Sequence, residues 1–496
     1  MPETPNPDPQ PRRDVYLLSP KQLSPETIAV TFAKTSRSPQ SFREIAAELS
    51  DEKSAEFNEK WVVGYGHSSV AEHAVLHLAV ENVSRLAIEN LESNRLASYT
   101  EKSTRYQKWD ANSFFTPPEL KGHSLLPVYV DACRALFDTY RLSLEQVRKV
   151  ARQHFPGRDH ENDTAWDRVN RSRYVDVCRF LLPAASLANV GITANARVIE
   201  SAVRKMLSDP LAEVREIGAE VKQVTRAEAP TLVKYADRVE YLVETRRALS
   251  AQAARIPDRA QEGPAASAAS VTTASVTTPW CNLVDCDAAG EEKVLAAALY
   301  RCGQADYAAA LAYVTGLDEG ARLALAADLL GRMNPHDVPL RELEYASYTF
   351  DVVMDQGAYF EVKRHRMMTQ TPQRLTADLG YAVPLWMVEA GMEAQYTAAM
   401  QQAAAAYRQL AAWNPDAAAY VIPNGFRRRV LLGLNLREAY HFCSLRAAEN
   451  AHFSVRRVAL KMAADIFQRH PALAAYMQLP KNETWQNIEK THFARA

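Results

Sequence analysis

Between about Leu125 and Gln153 the apolar positions recur at helical spacing. An alternating and then helical apolar segment runs from Ser68 to Ser93, with Glu72-His73-Ala74-Val75-Leu76-His77-Leu78-Ala79 leading into Ser84-Arg85-Leu86-Ala87. Ser24-Pro25-Glu26 ahead of Ile28-Ala29-Val30 is a helix start signal. A second helix covers about 51–63, and Gly64-Tyr65-Gly66-His67 breaks it. Asp14-Val15-Tyr16-Leu17-Leu18 reads as a short strand, and the charged stretch Gly157 to Arg173 as a loop or surface insertion. Leu181-Leu182-Pro183 ends an apolar helix, a further helix begins within Thr193 to Leu207, and 210–250 reads as a charged helix or helix pair.

The pattern is interrupted twice. Residues 1–13 are proline-rich and polar and read as a disordered tail. Residues 254–279 hold almost no large apolar side chain, too little to offset the entropy of ordering, and read as a linker. That divides the chain into a first domain, 14–253, and a second, 280–496. The second restarts the first: Cys281-Asn282-Leu283-Val284 stands where Val15-Tyr16-Leu17-Leu18 stood. Pro183 precedes Asn195-Ala196-Arg197 by the same twelve residues that separate Pro423 from Asn435-Leu436-Arg437.

Composition narrows the function classes. The 58 Lys+Arg residues nearly balance 59 Asp+Glu, so nucleic acid is not an expected partner. Six cysteines lack a Cys-x-x-Cys pair and zinc spacing, so they read as reduced thiols with no metal site, as in a cytoplasmic protein. No apolar run reads as a membrane span or a signal-peptide core.

The chemistry concentrates in Arg364-His365-Arg366-Met367-Met368-Thr369-Gln370-Thr371 and, far upstream, in Ser93-Asn94-Arg95-Leu96-Ala97-Ser98-Tyr99-Thr100-Glu101-Lys102-Ser103-Thr104-Arg105. A basic triplet alone is usually a solvated face. On an extended strand, however, Glu101, Ser103 and Arg105 share a side and offer an acceptor, a hydroxyl and a guanidinium fork suited to a sugar phosphate. Gly66-His67-Ser68-Ser69-x-x-Glu72-His73 is either a polar ligand loop or a helix start capped by Ser69. Arg179 precedes Leu182-Pro183, and Asn435-Leu436-Arg437 leads into His441 and Arg446 on an amphipathic helix.

Together these blocks resemble the flavin-dependent thymidylate synthase family, whose signature is Arg-His-Arg-x-x-Ser-x-Asn-x-x-Ser-x-Arg. The second domain keeps the head of that signature and the first keeps its tail. The resemblance implies an α+β, predominantly helical fold, here as two tandem copies forming a pseudo-dimer. It implies a homodimer of chains equivalent to the family's tetramer. The implied reaction is reductive methylation of dUMP to dTMP, with methylenetetrahydrofolate as carbon donor and FAD, recharged by NADPH, as hydride donor.

The family's roles carry over as follows. Arg446 polarises the pyrimidine, and Glu101, Ser103, Arg105, Arg179 and Arg364 bind the nucleotide. His67, Ser69, Glu72, His365, Arg366, Asn435, Arg437 and His441 contact the flavin. In the degenerate copy of the Gly-His motif, Glu344 rather than Glu342 takes the place of Glu72. The copies have decayed in complementary ways, so one composite site would pair Arg105 and Arg179 with Arg364 and Arg446. The opposite pairing, Thr376 and Ala419 with Ser93 and Met206, has lost each of those arginines. Glu361 stands where the family has glutamine, and Thr369 and Thr371 where it has serine and asparagine. The alternative reading is a non-catalytic fused paralogue, a structural or nucleotide-binding scaffold.

Overall fold

The computed structural model describes residues 16–64, 68–157, 162–256 and 279–496. The expected tail, His67 and most of the expected linker lie outside them. The fold is α+β and mostly helical. In the N-terminal half, helices α1 (Pro25–Lys34), α2 (Phe42–Glu48) and α3 (Asp51–Asn58) precede strand β1 (Val75–Ser84) and helix α4 (Arg85–Leu91). Then follow β2 (Ala97–Glu101), α5 (Leu126–His154), α6 (Asp163–Cys178), β3 (Leu187–Asn195), α7 (Ala196–Leu207), α8 (Ala212–Glu228) and α9 (Glu240–Ala253).

The C-terminal half runs β4 (Cys281–Cys286), α10 (Gly290–Cys302), α11 (Tyr307–Thr315), α12 (Glu319–Leu330), β5 (Ser347–Asp355), α13 (Gln356–Val362) and β6 (Thr369–Pro372). It continues with β7 (Val383–Pro384), α14 (Leu385–Glu389), α15 (Glu393–Trp413), β8 (Arg427–Asn435), α16 (Leu436–Ala447), α17 (Phe453–Arg469), α18 (Pro471–Ala474), α19 (Trp485–His492) and β9 (Phe493–Arg495).

Each half holds an antiparallel sheet: β1-β3-β2 in the first, with β3 central, and β4-β5-β8-β6 in the second, with β5 and β8 central. β3 and β8 alternate buried and exposed positions, so one face of each sheet packs on helices. Where β1 ends, the Ser84 hydroxyl caps α4, and where β5 ends, the Asp355 carboxylate caps α13 in the same way. These caps fix where the backbone turns toward the residues after each short helix.

The halves are joined along a backbone seam. Pro183 bridges Pro423, Ala184 N–H donates to Ile422 O (2.9 Å), and Asn424 N–H donates to Leu182 O (3.0 Å). Gly425 N–H reaches Phe180 O (2.8 Å), and α15 packs on α5 across the seam.

Three local expectations change. Tyr16, Leu17 and Leu18 are not a strand, and Leu17 is 94% exposed; only Cys281–Cys286 finds a partner strand, in β5. The stretch expected as a loop before Arg173 is largely α6: Trp166, Asn170 and Tyr174 recur every fourth residue as a narrow buried stripe among charges. Strand β3 stands between Pro183 and α7, where no strand was expected. All six cysteines are free thiols. Among the described residues no helix is long and apolar enough to cross a membrane.

Candidate functional site

A polar cleft of about 170 Å³ opens between the halves. Arg85, Glu101, Ser103, Arg105 and Arg179 line it from the first half, and Gly357, Phe360, Glu361, Arg364 and Asn424 from the second. β2 ends at Glu101 and the chain turns over 104–106, so Glu101, Ser103 and Arg105 reach the cleft from a strand end and a turn. Arg179 enters from the 3-10 turn after α6, and Arg364 from the turn after α13.

Ion pairs order every arginine there. Arg364 Nη2 donates to Glu101 Oε2 (2.9 Å), and Arg85 Nη2 stands 3.4 Å from Glu101 Oε1 with its guanidinium 4.0 Å over the Phe360 ring. Arg105 grips Asp176 with two bonds, Nε to Oδ1 (2.9 Å) and Nη2 to Oδ2 (2.6 Å). Arg179 Nε lies 3.2 Å from the same carboxylate, and its Nη1 donates to Thr104 Oγ1 (3.1 Å). Arg446 Nη1 donates to Glu361 Oε2 (2.7 Å), while Arg179 Nη2 stands 3.9 Å from Glu361 Oε1.

Five guanidinium groups therefore meet three carboxylates, Glu101, Asp176 and Glu361, leaving a surplus of two positive charges. Burial pushes the Glu361 carboxyl up, but Arg179, Arg364 and Arg446 outweigh it and hold it down at about 2. Burial likewise opposes the arginines around Asp176, whose carboxyl also ends below its ordinary value. His452 is buried against Asp176: its Nδ1 accepts from Ser454 N–H (3.1 Å), so its Nε2–H donates to Asp176 O (3.1 Å). Burial and then Arg179 drop its pKa to about 3 and keep it neutral. A site with surplus guanidinium charge and the hydroxyl of Ser103, whose oxygen accepts from Arg105 N–H (3.3 Å), suits a dianionic phosphate group.

The expected flavin contacts are not gathered in one place. Asn435, Arg437 and His441 line a separate pocket of about 500 Å³ in the second half, with His336, Met367, Ser444 and Leu445. His441 stacks at an angle on His365 (centroids 5.2 Å apart), and His365 Nε2 accepts from Arg446 Nε (2.8 Å), so this pocket and the cleft adjoin across one imidazole. His365 itself is buried, with both ring nitrogens engaged. Ser69 and Glu72 stay in the first half, where Glu72 pairs with Arg197. Arg437 pairs with Glu344, as Arg197 pairs with Glu72.

Arg366 faces a third cavity, about 990 Å³, that faces the two halves from the opposite pairing. Ser93 and Ala419 line it, but Met206 is buried core and Thr376 is not among its lining residues. Contrary to expectation this cavity is not stripped of arginine. Arg374 reaches Asp416 (3.2 Å), and Arg428, from inside β8, reaches Glu89 (2.7 Å) and fills space with its own ion pair. Arg374 stands where the signature has its second serine, two residues before the lost arginine at Thr376, and Arg428 enters from a position the signature does not include.

The family model of the thymidylate synthase complementing protein matches residues 18–231 and again 282–472. This chain belongs to that family. A UPF0159 protein of Chlamydia muridarum is 31% identical over 446 residues, covering 87% of this chain and 82% of the relative. A UPF0159 protein of Thermoplasma acidophilum is 26% identical over 470 residues, 87% of this chain and 90% of its own. A flavin-dependent thymidylate synthase of Clostridium tetani is 27% identical over 214 residues, which is 43% of this chain but 82% of that enzyme.

Asp176, Arg85, Glu361, Asn424 and His452 belong to the site but carry no assigned role in the signature. Asp176 has a local signal, since it stands three residues before Arg179 and the two share a helix side. His452 gives none, because its partner is a backbone carbonyl in the other half.

Proposed function

We propose that this chain is a flavin-dependent thymidylate synthase that methylates dUMP to dTMP in the cleft between two tandem, pseudo-dimeric copies of one fold. Methylenetetrahydrofolate would give the carbon, and NADPH would recharge the flavin. The observation that carries the reading is the cleft's divided origin: Ser103, Arg105 and Arg179 come from one half, Arg364 and the Glu361–Arg446 pair from the other. The doubled family match and the half-length alignment to a single-domain synthase support the tandem arrangement. Two such chains would bury the surfaces that four single-domain subunits bury.

The flavin fits the 500 Å³ pocket by donor chemistry. Asn435, His441, Ser444 and His336 offer hydrogen bonds to a planar heterocycle, and Met367 and Leu445 offer apolar contact. When bound, the flavin supplies a hydride. Arg105, Arg179 and Arg364 bind the nucleotide phosphate, and Glu101 holds Arg364 in place. Arg446 places positive charge beside the pyrimidine, where negative charge develops as the ring is attacked. Phe360, buried along one side of the cleft, excludes water there.

A second reading, a nucleotide-binding scaffold without turnover, is favoured by one observation: Glu361 already occupies Arg446. The deciding experiment incubates the purified chain with FAD, NADPH, methylenetetrahydrofolate and dUMP and measures dTMP, alongside rescue of a thymidine auxotroph. Yellow protein that makes dTMP sustains the first reading. Protein that binds dUMP but takes up no FAD and makes no dTMP replaces it with the second.

A further inference from the structure

We propose that Glu438 is a positioning residue for Arg446, acting through His365, and that this three-residue chain decides which edge of the guanidinium faces the ligand. The proposal rests on reading the cleft as a nucleotide site. Glu438 opens α16, Arg446 lies two turns further on, and His365 comes from the turn after α13. Glu438 Oε1 is 3.1 Å from His365 Nδ1, and His365 Nε2 is 2.8 Å from Arg446 Nε.

The proton positions follow from chemistry. Arginine stays charged in proteins, so its Nε is always a donor. His365 Nε2 must therefore present a lone pair, and the ring proton must sit on Nδ1, where the Glu438 carboxylate accepts it. The Phe442 ring stands edge-on to the imidazole, centroids 4.9 Å apart at 90°, and resists a ring flip. Side-chain exposures of 2% for His365 and 8% for Glu438 leave no room for water to replace either bond. Glu361 takes Arg446 Nη1 from the other side. Two of the three guanidinium nitrogens are thus fixed, and Nη2 is the one left without a protein partner among the described residues.

The arrangement requires neutral His365. An imidazolium would set an Nε2–H against the Arg446 Nε–H. The charged and titratable groups around this ring are Glu438, Arg446 and His441 from α16, with Arg364 and Arg366 as chain neighbours and Glu361 beyond Arg446. Burial lowers the His365 pKa, Glu438 raises it, and Arg446 and His441 lower it. Removing the charge at 438 while keeping an acceptor therefore lowers it further. Removing the acceptor leaves Nδ1–H unsatisfied and favours the tautomer that repels Arg446.

The test uses the FAD-loaded full chain with Glu438→Leu and Glu438→Gln. Turnover is measured against pH, and the His365 tautomer is read by nitrogen-15 NMR of histidine-labelled protein, assigned with His365→Asn. Glu438→Leu lowers kcat about 10- to 100-fold, the rate equivalent of one charge-assisted bond. The KM for dUMP moves less than about threefold, because the phosphate-binding arginines are untouched. Glu438→Gln recovers most of that rate, with the acid limb of kcat at lower pH than in the wild type. A merely structural role would not move that limb. Wild-type kcat in Glu438→Leu, or an unmoved limb in Glu438→Gln, overturns the proposal. If Glu438→Leu does not fold, the limb in Glu438→Gln decides alone. If the wild type has no turnover, the functional reading fails separately and the NMR arm still decides: an Nδ1–H tautomer lost in Glu438→Leu sustains the positioning role, and an Nε2–H tautomer in the wild type ends it.

Discussion

Arg364 Nη2 lies 2.9 Å from Glu101 Oε2, although 263 residues separate the two in the chain. The Glu101 side chain is 2% exposed and Arg364 is 44% exposed, so the carboxylate is buried and the arginine reaches out from it into the cleft. The pair joins the halves and also aims a guanidinium at the ligand. Removing Arg364 would leave Glu101 underpaired beside an arriving phosphate. Arg364→Ala and Arg105→Ala should each weaken dUMP binding roughly 10- to 100-fold, the loss of one charge-assisted bond apiece. Thr376→Ala should leave it unchanged. Calorimetric titration should give one dUMP per chain, since Arg428–Glu89 occupies the opposite cavity. Two per chain, or full affinity in Arg105→Ala, contradicts the composite site.

Glu361 provides a pH signature. Burial alone would raise its pKa, yet Arg179, Arg364 and Arg446 hold it down, from 4.5 to about 2. A depressed carboxyl contributes stability that is present above the unfolded-state value and lost as pH falls through the folded one. The wild type should therefore lose stability between about pH 4.5 and 2 more steeply than Glu361→Gln, by about 3 kcal/mol at most. Urea melts across that range would measure it. The same substitution raises the surplus positive charge of the cleft by one, so its dUMP affinity at pH 7 should increase. Parallel pH profiles for the two proteins would show that Glu361 is not held by these arginines.

Gly425 sits on the seam between the halves, its N–H donating to Phe180 O (2.8 Å). A Cβ there would stand 2.5 Å from Met400 Cε, 2.7 Å from Tyr396 OH and 3.2 Å from Phe180 Cδ1. Tyr396 cannot withdraw freely, because its buried hydroxyl donates to Ala382 O (2.7 Å). Gly425→Ala should cost about 1–3 kcal/mol, the usual penalty for overfilling a packed core. A melting temperature within a degree of the wild type would mean that the seam yields more easily than this packing implies.

Much of the cleft could be read from the chain because its residues follow motifs with local geometry. Arg179 before Leu182-Pro183, Asn435 capping α16, and Arg364 just past a capped helix each sit where neighbours dictate. Strand β3 was missed although its buried positions, Ala188, Val190, Ile192 and Ala194, alternate: two are alanines, and Asn189 and Gly191 between them are poor strand formers, so pairing to β1 and β2 makes it a strand. The start of helix α6 was missed because up to Arg173 its buried residues are Trp166 and Asn170 alone, too few among many charges to carry a periodic signal. Met206 was placed in a pocket by sequence register, whereas the loss of arginine there let the position join the core. The division of the expected flavin contacts depends on which half each side chain faces, which no local pattern records.

Lys363 and Glu92 form the most enclosed ion pair between the halves. Their charged ends are 2.9 Å apart, and the side chains are 5% and 6% exposed. Lys363 adjoins Arg364 in sequence but turns to the opposite cavity, so one turn serves both faces of the seam. Breaking such a pair strands a buried charge, whereas replacing both partners with apolar residues of similar size does not. Lys363→Met alone should therefore cost about 3–5 kcal/mol, and Lys363→Met with Glu92→Leu much less, with a strongly positive coupling in the double-mutant cycle. Denaturant melts of the wild type, both single variants and the double variant supply the four corners. The double variant should also keep its affinity for dUMP, because Arg364 remains paired with Glu101. Additive single effects would mean that water reaches the pair and that it does little to hold the halves in register.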